Sequence, residues 1–422
     1  MPGPFDSTST SVSVLDGSLL LPASVVRARA VAGGDEDALT LAAEAAFPVL
    51  AAAERAPDVL VLVTTSPPYD EGGSVQALAE LTGLAGDVLA FELTSSLRDG
   101  LTAVRLAAAL AAAGGATVLV CAAHRSRGEK DAGDGAAALL LAAAGGGVAT
   151  LRPGPVRAEE LRDRWRLAGE AGRDEGDPSF VWDEGLPRVA REWELEGPSL
   201  VGPVARTAAR AERALGGPGD ELAAAVGVIG AAHPFGRLLL GLDRPQVLAA
   251  VAGGLGEALH ADPGPGAEAV AARARAVLAA PRSDTLPEPI DWARLTPYAS
   301  GPRSRRERRQ DLRLEGSRCA GCSRLVFPPP VTCPHCGSRE LAPELLARSG
   351  TVVTETRDHA YPVSRSTGMA VVELDGGGRF YGQVVPSARV AIGDRVRIVP
   401  RRLHDGGGAA QYFWKLAPEA VA

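Results

Sequence analysis

The chain has 422 residues, more than one ordinary domain requires, so we expect two or three domains. Hydrophobic residues make up 46% and charged residues 23%, a balance that is typical of globular proteins and argues against a disordered chain. The formal net charge of −7 gives no global reason to expect nucleic-acid binding.

The N-terminal segment, MPGPFDSTST, is polar and lacks the basic and apolar regions of a secretory leader. No apolar run reaches membrane-spanning length without glycine breaks or charges. Four of the five cysteines lie close together near the C-terminal end of the sequence, which is unlike a secreted disulfide framework. We therefore expect a cytoplasmic protein with no membrane partner.

Residues 1–282 have the pattern of an α/β fold, which we divide into halves of about 1–145 and 146–282. The run VLVLV (59–63) predicts a strand that is buried on both faces. The pattern continues with VLAFEL (88–93), a helix over 101–113, TVLVCAA (117–123) and AAALLLAAA (136–144). Strands that alternate with helices predict a mostly parallel, layered sheet.

The composition changes after residue 282. A Pro/Ser-rich stretch and a basic run over 283–310 predict a linker and a basic helix. Short strands separated by Gly/Asp turns over 346–422 predict a small antiparallel β-barrel or sandwich. The arginines of the basic region could contact the phosphates of coenzyme A or single-stranded nucleic acid, or simply form a solvated helix, which is the interpretation we adopt. They are Arg303, Arg305, Arg306, Arg308, Arg309, Arg313 and Arg318.

The cysteines of residues 311–345 form the pattern C-x2-C-x10-C-x2-C, from Cys319, Cys322, Cys333 and Cys336. Two such pairs bring four thiolates into a tetrahedral set that suits Zn²⁺. No fifth ligand is evident, so the predicted site is structural. Two disulfides, free buried thiols or a redox-active pair are the alternatives, and a cytosolic chain disfavours the disulfides. Cys121 stands alone in an apolar run and is assigned to the core.

The stretch FELTSSLRDGL (91–101) predicts a strand that turns sharply into a helix. Such a turn often exposes a nucleophile, and here it carries Ser95 and Ser96. A serine needs a base within hydrogen-bond reach to act in that way. Of the six histidines, we expect only His233 to be able to enter the same cleft, and we favour a structural or capping role for it.

The C-terminal third resembles the zinc-ribbon/OB-fold family associated with acyl-CoA metabolism. The resemblance rests on the cysteine ribbon (311–345), its spacer FPPPVTC, and the strand motifs TVVTETR, MAVVEL, FYGQVV, RVRIVP and YFWKL of an OB-fold over 346–422. Members of that family are usually non-catalytic partners of thiolases and hydroxymethylglutaryl-CoA synthases, and they help to form the acyl-CoA channel.

The N-terminal part resembles the thiolase superfamily, and within it the hydroxymethylglutaryl-CoA synthases. The matching motifs, in order, are GDEDALTLAAEAA, VTTSPPYDE, GDGAAALLL, RWRLAGEAGRDEGDPSFVWDEG and IGAAHPFGRLLLGL. The resemblance places the family's general acid at Thr65, its nucleophilic cysteine at Leu97 and its histidine near Val201. Because none of these side chains can do that chemistry, the resemblance implies a degenerate active site and a pseudoenzyme.

Together the resemblances imply an accessory or scaffold subunit of a thiolase- or ketosynthase-type acyltransferase complex. The implied ligands and partners are acyl-CoA, acyl carrier protein and a competent thiolase or ketosynthase subunit, in a homodimer or heterotetramer. Two alternatives remain open. One is a stand-alone acyltransferase with a site rebuilt on Ser95 or Ser96, and the other is an OB-fold nucleic-acid binder.

Overall fold

The structure is a computed structural model that describes residues 11–419, except 85, 130, 144, 168–169, 171–173, 178–183, 204, 291–300, 361–365, 387 and 407–408. The chain folds as two compact units. Unit 1 comprises residues 1–32, 41–78 and 84–286, and unit 2 comprises residues 33–40, 79–83 and 287–422. None of the helices in these described ranges is long and apolar enough to cross a membrane.

The strands before residue 287 are β1 (Val12–Leu20), β2 (Ser24–Val25), β3 (Ala30–Val31), β4 (Val59–Thr64), β5 (Leu89–Leu93), β6 (Val118–His124), β7 (Gly135–Ala143), β8 (Ala149–Ala158), β9 (Arg164–Trp165), β10 (Asp174–Glu175), β11 (Ser199–Val201), β12 (Gln246–Ala252) and β13 (Leu255–Pro263). The helices of the same region are α1 (Ala38–Ala52), α2 (Val75–Leu81), α3 (Asp99–Gly114), α4 (Leu186–Glu192), α5 (Ala205–Ala214), α6 (Glu221–Val226), α7 (His233–Leu240) and α8 (Ala267–Ala279), with a 3-10 turn at Gly230–Ala232.

A nine-stranded sheet in the order β11-β12-β13-β8-β1-β7-β6-β4-β5 forms the centre of unit 1. The strands β4 and β6 are buried along their whole length, as the apolar run VLVLV predicts. Helix α3 packs the side chains of Leu101 and Val104 into the same apolar core as Phe235 of α7. Burial of this continuous apolar surface is the main force that stabilises the unit.

The prediction of a mostly parallel sheet is wrong. The pairs β4–β5, β4–β6 and β11–β12 are parallel, but the pairs that join β12, β13, β8, β1, β7 and β6 are antiparallel. The reason is the short connection over 125–134, which carries no described crossover helix. Parallel neighbours need a long crossover, so β7 must return antiparallel to β6.

The elements after residue 286 are α9 (Gly301–Asp311), β14 (Glu315–Cys319), β15 (Leu325–Val326), β16 (Leu341–Leu345), β17 (Ser349–Asp358), β18 (Thr367–Leu374), β19 (Arg379–Gln383), β20 (Arg395–Gly406) and β21 (Ala409–Pro418). Strands β15-β14-β16 form the sheet of the zinc ribbon. The order β19-β18-β17-β20-β21 forms an antiparallel sheet, and a bridge between Val384 and Leu416 links its two ends, as expected of a small barrel.

Unit 2 also contains buried charges. Lys415 Nζ lies 2.8 Å from Asp35 Oδ2, and both side chains are at most 5% exposed. Arg401 pairs with Glu36 at 2.8 Å, and the hydroxyl of Tyr412 donates to Asp37 Oδ2 at 2.7 Å. Burial lowers the pKa of Lys415, and the charge of Asp35 opposes that effect. Asp35 is therefore a buried charge of unit 2, while Gly34, Glu36 and Asp37 of the same acidic segment are half-buried.

Candidate functional site

A cleft of about 510 Å³ lies in unit 1 at the carboxyl ends of β4, β5 and β6. Strand β4 runs parallel to both neighbours, so the residues that follow these strands meet at one edge of the sheet. At this edge of the sheet, three groups of residues lie together in the cleft: Thr65 after β4, Ser95 to Leu97 after β5, and His124 at the end of β6. Sequence separation does not reveal this proximity, because it depends on the strand order.

Of the three positions that the thiolase resemblance identified, two line the cleft and one does not. Thr65 and Leu97 both line the cleft, as do Ser95 and Ser96. Val201 is buried in β11 and is not a lining residue, whereas Pro203 is. Val201 itself therefore does not line the cleft, and the placement of the family's histidine position near it remains a prediction. The proposed loss of the family's catalytic groups remains a prediction.

The two serines of the strand-to-helix turn hold that turn together. The hydroxyl of Ser95 donates to Asp99 Oδ2 at 2.8 Å, and that of Ser96 donates to Oδ1 at 3.3 Å. The backbone N–H groups of both serines also donate to Asp99 Oδ2, at 2.8 and 3.0 Å. Asp99 is 3% exposed and begins α3. These contacts favour a structural role for both serines over a nucleophilic one.

Leu97 is 8% exposed and belongs to the apolar core, although it also lines the cleft. Gly100, three residues later, lets the backbone pass close to the 3-10 turn. A Cβ atom at Gly100 would lie 2.9 Å from the carbonyl oxygen of Ala231. The turn is therefore tightly packed, and the side chain of Leu97 that it carries has no nucleophilic atom.

His124 enters the cleft, so the expectation that only His233 could do so is wrong. Its side chain is 1% exposed, and its Nδ1 lies 3.1 Å from Thr65 Oγ1 and 3.5 Å from Ser66 Oγ. A Cβ atom at Gly230 would lie 2.5 Å from His124 Cγ, so only glycine leaves room for the imidazole there. The available sequence signal was that His124 directly follows the predicted strand TVLVCAA (117–123).

His233 has the structural role that the sequence favoured. It is fully buried at the first residue of α7, and its Nε2 lies 2.8 Å from Asp220 Oδ2. Burial alone would raise the pKa of Asp220, but the charges of His233 and Arg237 and the hydrogen bond with His233 lower it below its ordinary value. Arg237 in turn forms a buried ion pair with Glu212 at 2.6 Å.

Another part of the cleft lining comes from the described part of the acidic and aromatic segment 164–185. Trp165, Arg166 and Leu167 line the cleft, while 168–169, 171–173 and 178–183 lie outside the described residues. Arg166 pairs with Glu129 at 3.1 Å. Burial and the nearby charge of Arg127 lower the pKa of Arg166. This part of the lining therefore offers both apolar and charged groups.

The four cysteines of the ribbon converge, as their spacing predicts. Their sulfur atoms all lie within 4.8 Å of one another, with Sγ–Sγ distances of 3.5 Å for Cys319–Cys336 and 3.7 Å for Cys322–Cys333. A disulfide needs about 2.05 Å between its sulfurs. Four thiolates at about 2.3 Å from a tetrahedral Zn²⁺ lie about 3.8 Å apart, so the set fits zinc.

Local backbone contacts build the two cysteine knuckles. The N–H of Ser323 donates to the carbonyl of Cys319 at 2.8 Å, and that of Gly337 donates to the carbonyl of Cys333 at 3.0 Å. Desolvation would raise the pKa of Cys319, but hydrogen bonds from the Cys322 and Gly321 backbone and from neighbouring thiols lower it to about 6. In contrast, burial raises the pKa of Cys121 far above its ordinary value, as expected of a core thiol.

The basic region contains helix α9, and most of its arginines face carboxylates of unit 2. Arg303 pairs with Glu307 at 2.7 Å, and Arg318 pairs with Glu344 at 2.6 Å. The side chains of Arg308, Arg309 and Arg313 lie within ion-pair distance of Glu80 or Glu315. These contacts favour a solvated, ion-paired helix over a phosphate or nucleic-acid site.

Comparisons with known proteins agree with the two-part fold. The family model described as "ChsH2, rubredoxin-like zinc ribbon domain" matches residues 306–342. A DUF35 domain-containing scaffold protein from Methanothermobacter thermautotrophicus is 30% identical over 121 residues, which cover 26% of this chain and 90% of that protein. The chain therefore contains a zinc ribbon, and the four close cysteines support a structural zinc ion.

Solved structures show the fold of the larger part. PksG, an HMG-CoA synthase from Bacillus subtilis, has a TM-score of 0.53 at 18% identity, covering 64% of this chain and 83% of that one. The HMG synthase of the curacin pathway in complex with holo donor-ACP has the same score and identity, covering 65% and 86%. A variant of OleA from Xanthomonas campestris scores 0.50 at 15% identity, covering 60% and 96%. The chain thus combines a thiolase-like α/β fold with the ribbon and a C-terminal all-β sheet.

Proposed function

Because this chain belongs to the DUF35-domain family, we propose that it is a non-catalytic accessory or scaffold subunit of a thiolase- or ketosynthase-type acyltransferase complex. The complex would act on acyl groups carried by coenzyme A or by an acyl carrier protein. The observation that carries the proposal is Leu97, which occupies the strand-to-helix turn at the cleft where the resemblance places a nucleophilic cysteine.

The chemistry of acyl transfer explains the need for a partner. A thiolate accepts the acyl group in such a reaction, and a second group moves protons. Leucine has no lone pair to offer, and the hydroxyl of Thr65 cannot replace a carboxylic acid as a proton donor near neutral pH. A competent subunit with an intact cysteine would therefore perform the transfer that this chain does not.

The outermost strand of the large sheet supports a docking role. Among the described strands, β5 pairs with β4 alone, so its other edge is open. Leu89 is 55% exposed at its start, and Phe91 and Leu93 are half-buried. An open, apolar edge strand is able to pair with a strand of another subunit. We propose that a thiolase-fold partner continues the sheet there, in a heterodimer or a heterotetramer, and a homodimer is the alternative.

The zinc ribbon and the barrel supply the second part of the proposed role. In the family that the C-terminal part resembles, this module bridges subunits and helps to form the acyl-CoA channel. We propose the same role here, with zinc holding the ribbon in shape and coenzyme A thioester as the ligand of the assembled complex.

Affinity purification from the native host tests the proposal. The tagged chain should co-purify with a protein that mass spectrometry identifies as a thiolase-fold subunit with a cysteine at the turn. Leu89→Asp should release the partner by placing a charge at the β5 edge. Val156→Asp, at a residue of the inner strand β8 that is 58% exposed, should keep it and is the matched control. Recovery of the chain without any such protein would refute the proposal.

A further inference from the structure

The cleft of unit 1 contains a hydroxyl and an imidazole in contact that the accessory role does not use. We propose that Thr65 and His124 form a hydrolytic site of their own, in which Thr65 is the nucleophile and His124 is the base. The substrate class is a small carboxylic ester or thioester with a good leaving group. This activity is independent of the proposed docking role and does not require Leu97.

The first support is the geometry of the pair. Thr65 Oγ1 and His124 Nδ1 are 3.1 Å apart, which is within the reach needed for proton transfer to a base. The close approach of Gly230 to the imidazole limits rotation of the ring. For Nδ1 to accept the Thr65 proton, Nε2 must carry the ring proton.

The second support is that the other hydroxyls of the turn region are engaged elsewhere. Ser95 and Ser96 donate to the carboxylate of Asp99. Ser66 is 6% exposed, its Oγ accepts a hydrogen bond from the N–H of Arg125 at 2.8 Å, and it lies farther from His124 Nδ1 than Thr65 Oγ1 does, at 3.5 Å against 3.1 Å. Thr65 is only half-buried and lines the cleft. It is therefore the hydroxyl that combines a nearby base with access to a ligand.

The third support is the room and lining of the cleft. A volume of about 510 Å³ is within the usual range for sites that bind small molecules. Trp165 and Leu255 supply apolar surface for an acyl group, while Asp70 and Arg127 supply polar groups. A short acyl chain with a thiol or phenol leaving group fits such a mixed lining.

The reaction balances without any further reactant except water. Thr65 Oγ attacks the acyl carbonyl carbon and forms an ester bond, while His124 Nδ1 takes its proton. The bond from the acyl carbon to the leaving sulfur or oxygen breaks, and His124 returns the proton to that atom. Water then attacks the acyl-threonine ester with His124 as the base, releasing the carboxylic acid and restoring the Thr65 hydroxyl.

The test uses the zinc-loaded full chain with p-nitrophenyl acetate and with a small acetyl thioester. We expect a rapid initial release (a burst) of p-nitrophenol or of the thiol before the slower steady rate. Peptide mapping should locate one acetyl group on Thr65. Thr65→Val and His124→Asn should each lower the burst rate by about 100-fold, since general-base assistance is worth that much or more. Thr65→Ser should retain it.

Two further variants keep the test specific. His260→Asn, at a half-buried histidine of β13 outside the cleft, should leave the burst unchanged. Thermal melting of each variant checks that it is folded, and Thr65→Ser guards against a merely structural effect. No acetylation, acetylation at a different residue, or an unchanged burst in folded Thr65→Val would overturn the proposal. A burst that persists in Thr65→Val but is lost in a folded Ser95→Ala/Ser96→Ala variant would overturn it as well.

Discussion

The two units are stabilised in different ways. Unit 1 has a wide apolar core around a nine-stranded sheet, to which side chains as distant in sequence as Val12, Leu139 and Phe235 contribute. Unit 2 has two smaller sheets, so its cysteine cluster and the buried pair of Asp35 with Lys415 should carry a larger share of its stability than a buried pair such as Arg237 with Glu212 carries in unit 1. In a large core many contacts each contribute a small part of the stability, whereas at a metal site or a buried ion pair a few atoms contribute a large part. Single substitutions should therefore affect unit 2 more severely.

Removal of one zinc ligand should have the largest effect. Cys333→Ser should lower the zinc content from about one ion per chain to near zero, because a closed site needs all four thiolates. Structural zinc contributes about 10 kcal/mol or more in small metal domains, so the ribbon should lose its fold. Elemental analysis and circular dichroism measure both effects. Cys121→Ala is the control, and equal zinc in Cys333→Ser would contradict the assignment.

Loss of the buried carboxylate in unit 2 should come next. Asp35→Asn removes the charge that faces Lys415 and leaves the ammonium group buried without its counter-charge. Breaking such a pair from one side typically costs about 3–5 kcal/mol in the free energy of unfolding. Urea unfolding measures the change. Asp262→Asn, in an ion pair with Arg152 that is about half exposed, should change it by about 1 kcal/mol at most.

The free energy of unfolding, measured as the pH is lowered, should reveal the buried pair of Asp220 with His233 in unit 1. The pKa of Asp220 is lower when folded than its ordinary 3.8, so its ionised form stabilises the fold above that pH. That stability is lost as the pH falls through the folded pKa. Asp220→Asn should lower the free energy of unfolding by about 1–3 kcal/mol at neutral pH. The difference in this free energy between the variant and the native chain should shrink below about pH 4. A difference that stays constant down to pH 2 would contradict the pair.

A cysteine placed at the turn should have a small effect on stability and a clear effect on reactivity. Leu97→Cys should react with iodoacetamide in the zinc-loaded chain, because residue 97 lines the cleft. Leu101→Cys, in the same core but not a lining residue, should stay unreacted, as should the native Cys121. Equal reactivity at residues 97 and 101 would show that the cleft does not reach the turn.

The sequence predicts some of these features because their determinants are local. The four zinc ligands lie on two tight knuckles that are close in sequence, so spacing alone predicts that they converge. The strand-to-helix turn around Ser95 and Leu97 is equally local, and α3 begins where expected. The buried role of His233 also follows from its position at a helix N-terminus.

Other features depend on which strands become neighbours. His124 meets Thr65 only because β4 and β6 pair in parallel, and 59 positions separate the two residues in the chain. The run AAALLLAAA predicts a buried strand, but it does not show whether β7 runs parallel or antiparallel to β6, because its apolar pattern reads the same in both directions. The clue to it is the short connection over 125–134, in whose described residues there is no crossover helix. The pairing of Asp35 with Lys415 spans 380 positions and has no sequence signal beyond the charges themselves.

In the proposed function, a partner subunit supplies the nucleophile for acyl transfer. It is tested most directly by comparing the purified chain with the complex captured from the native host, using a labelled acyl-CoA and an acceptor thioester. We expect the complex to yield condensed or transferred acyl product, with the label on a cysteine of the partner subunit, whereas the chain alone should transfer no acyl group to the acceptor thioester and at most release it to water through Thr65. Acyl transfer by the chain alone, at the rate of the complex, would contradict it.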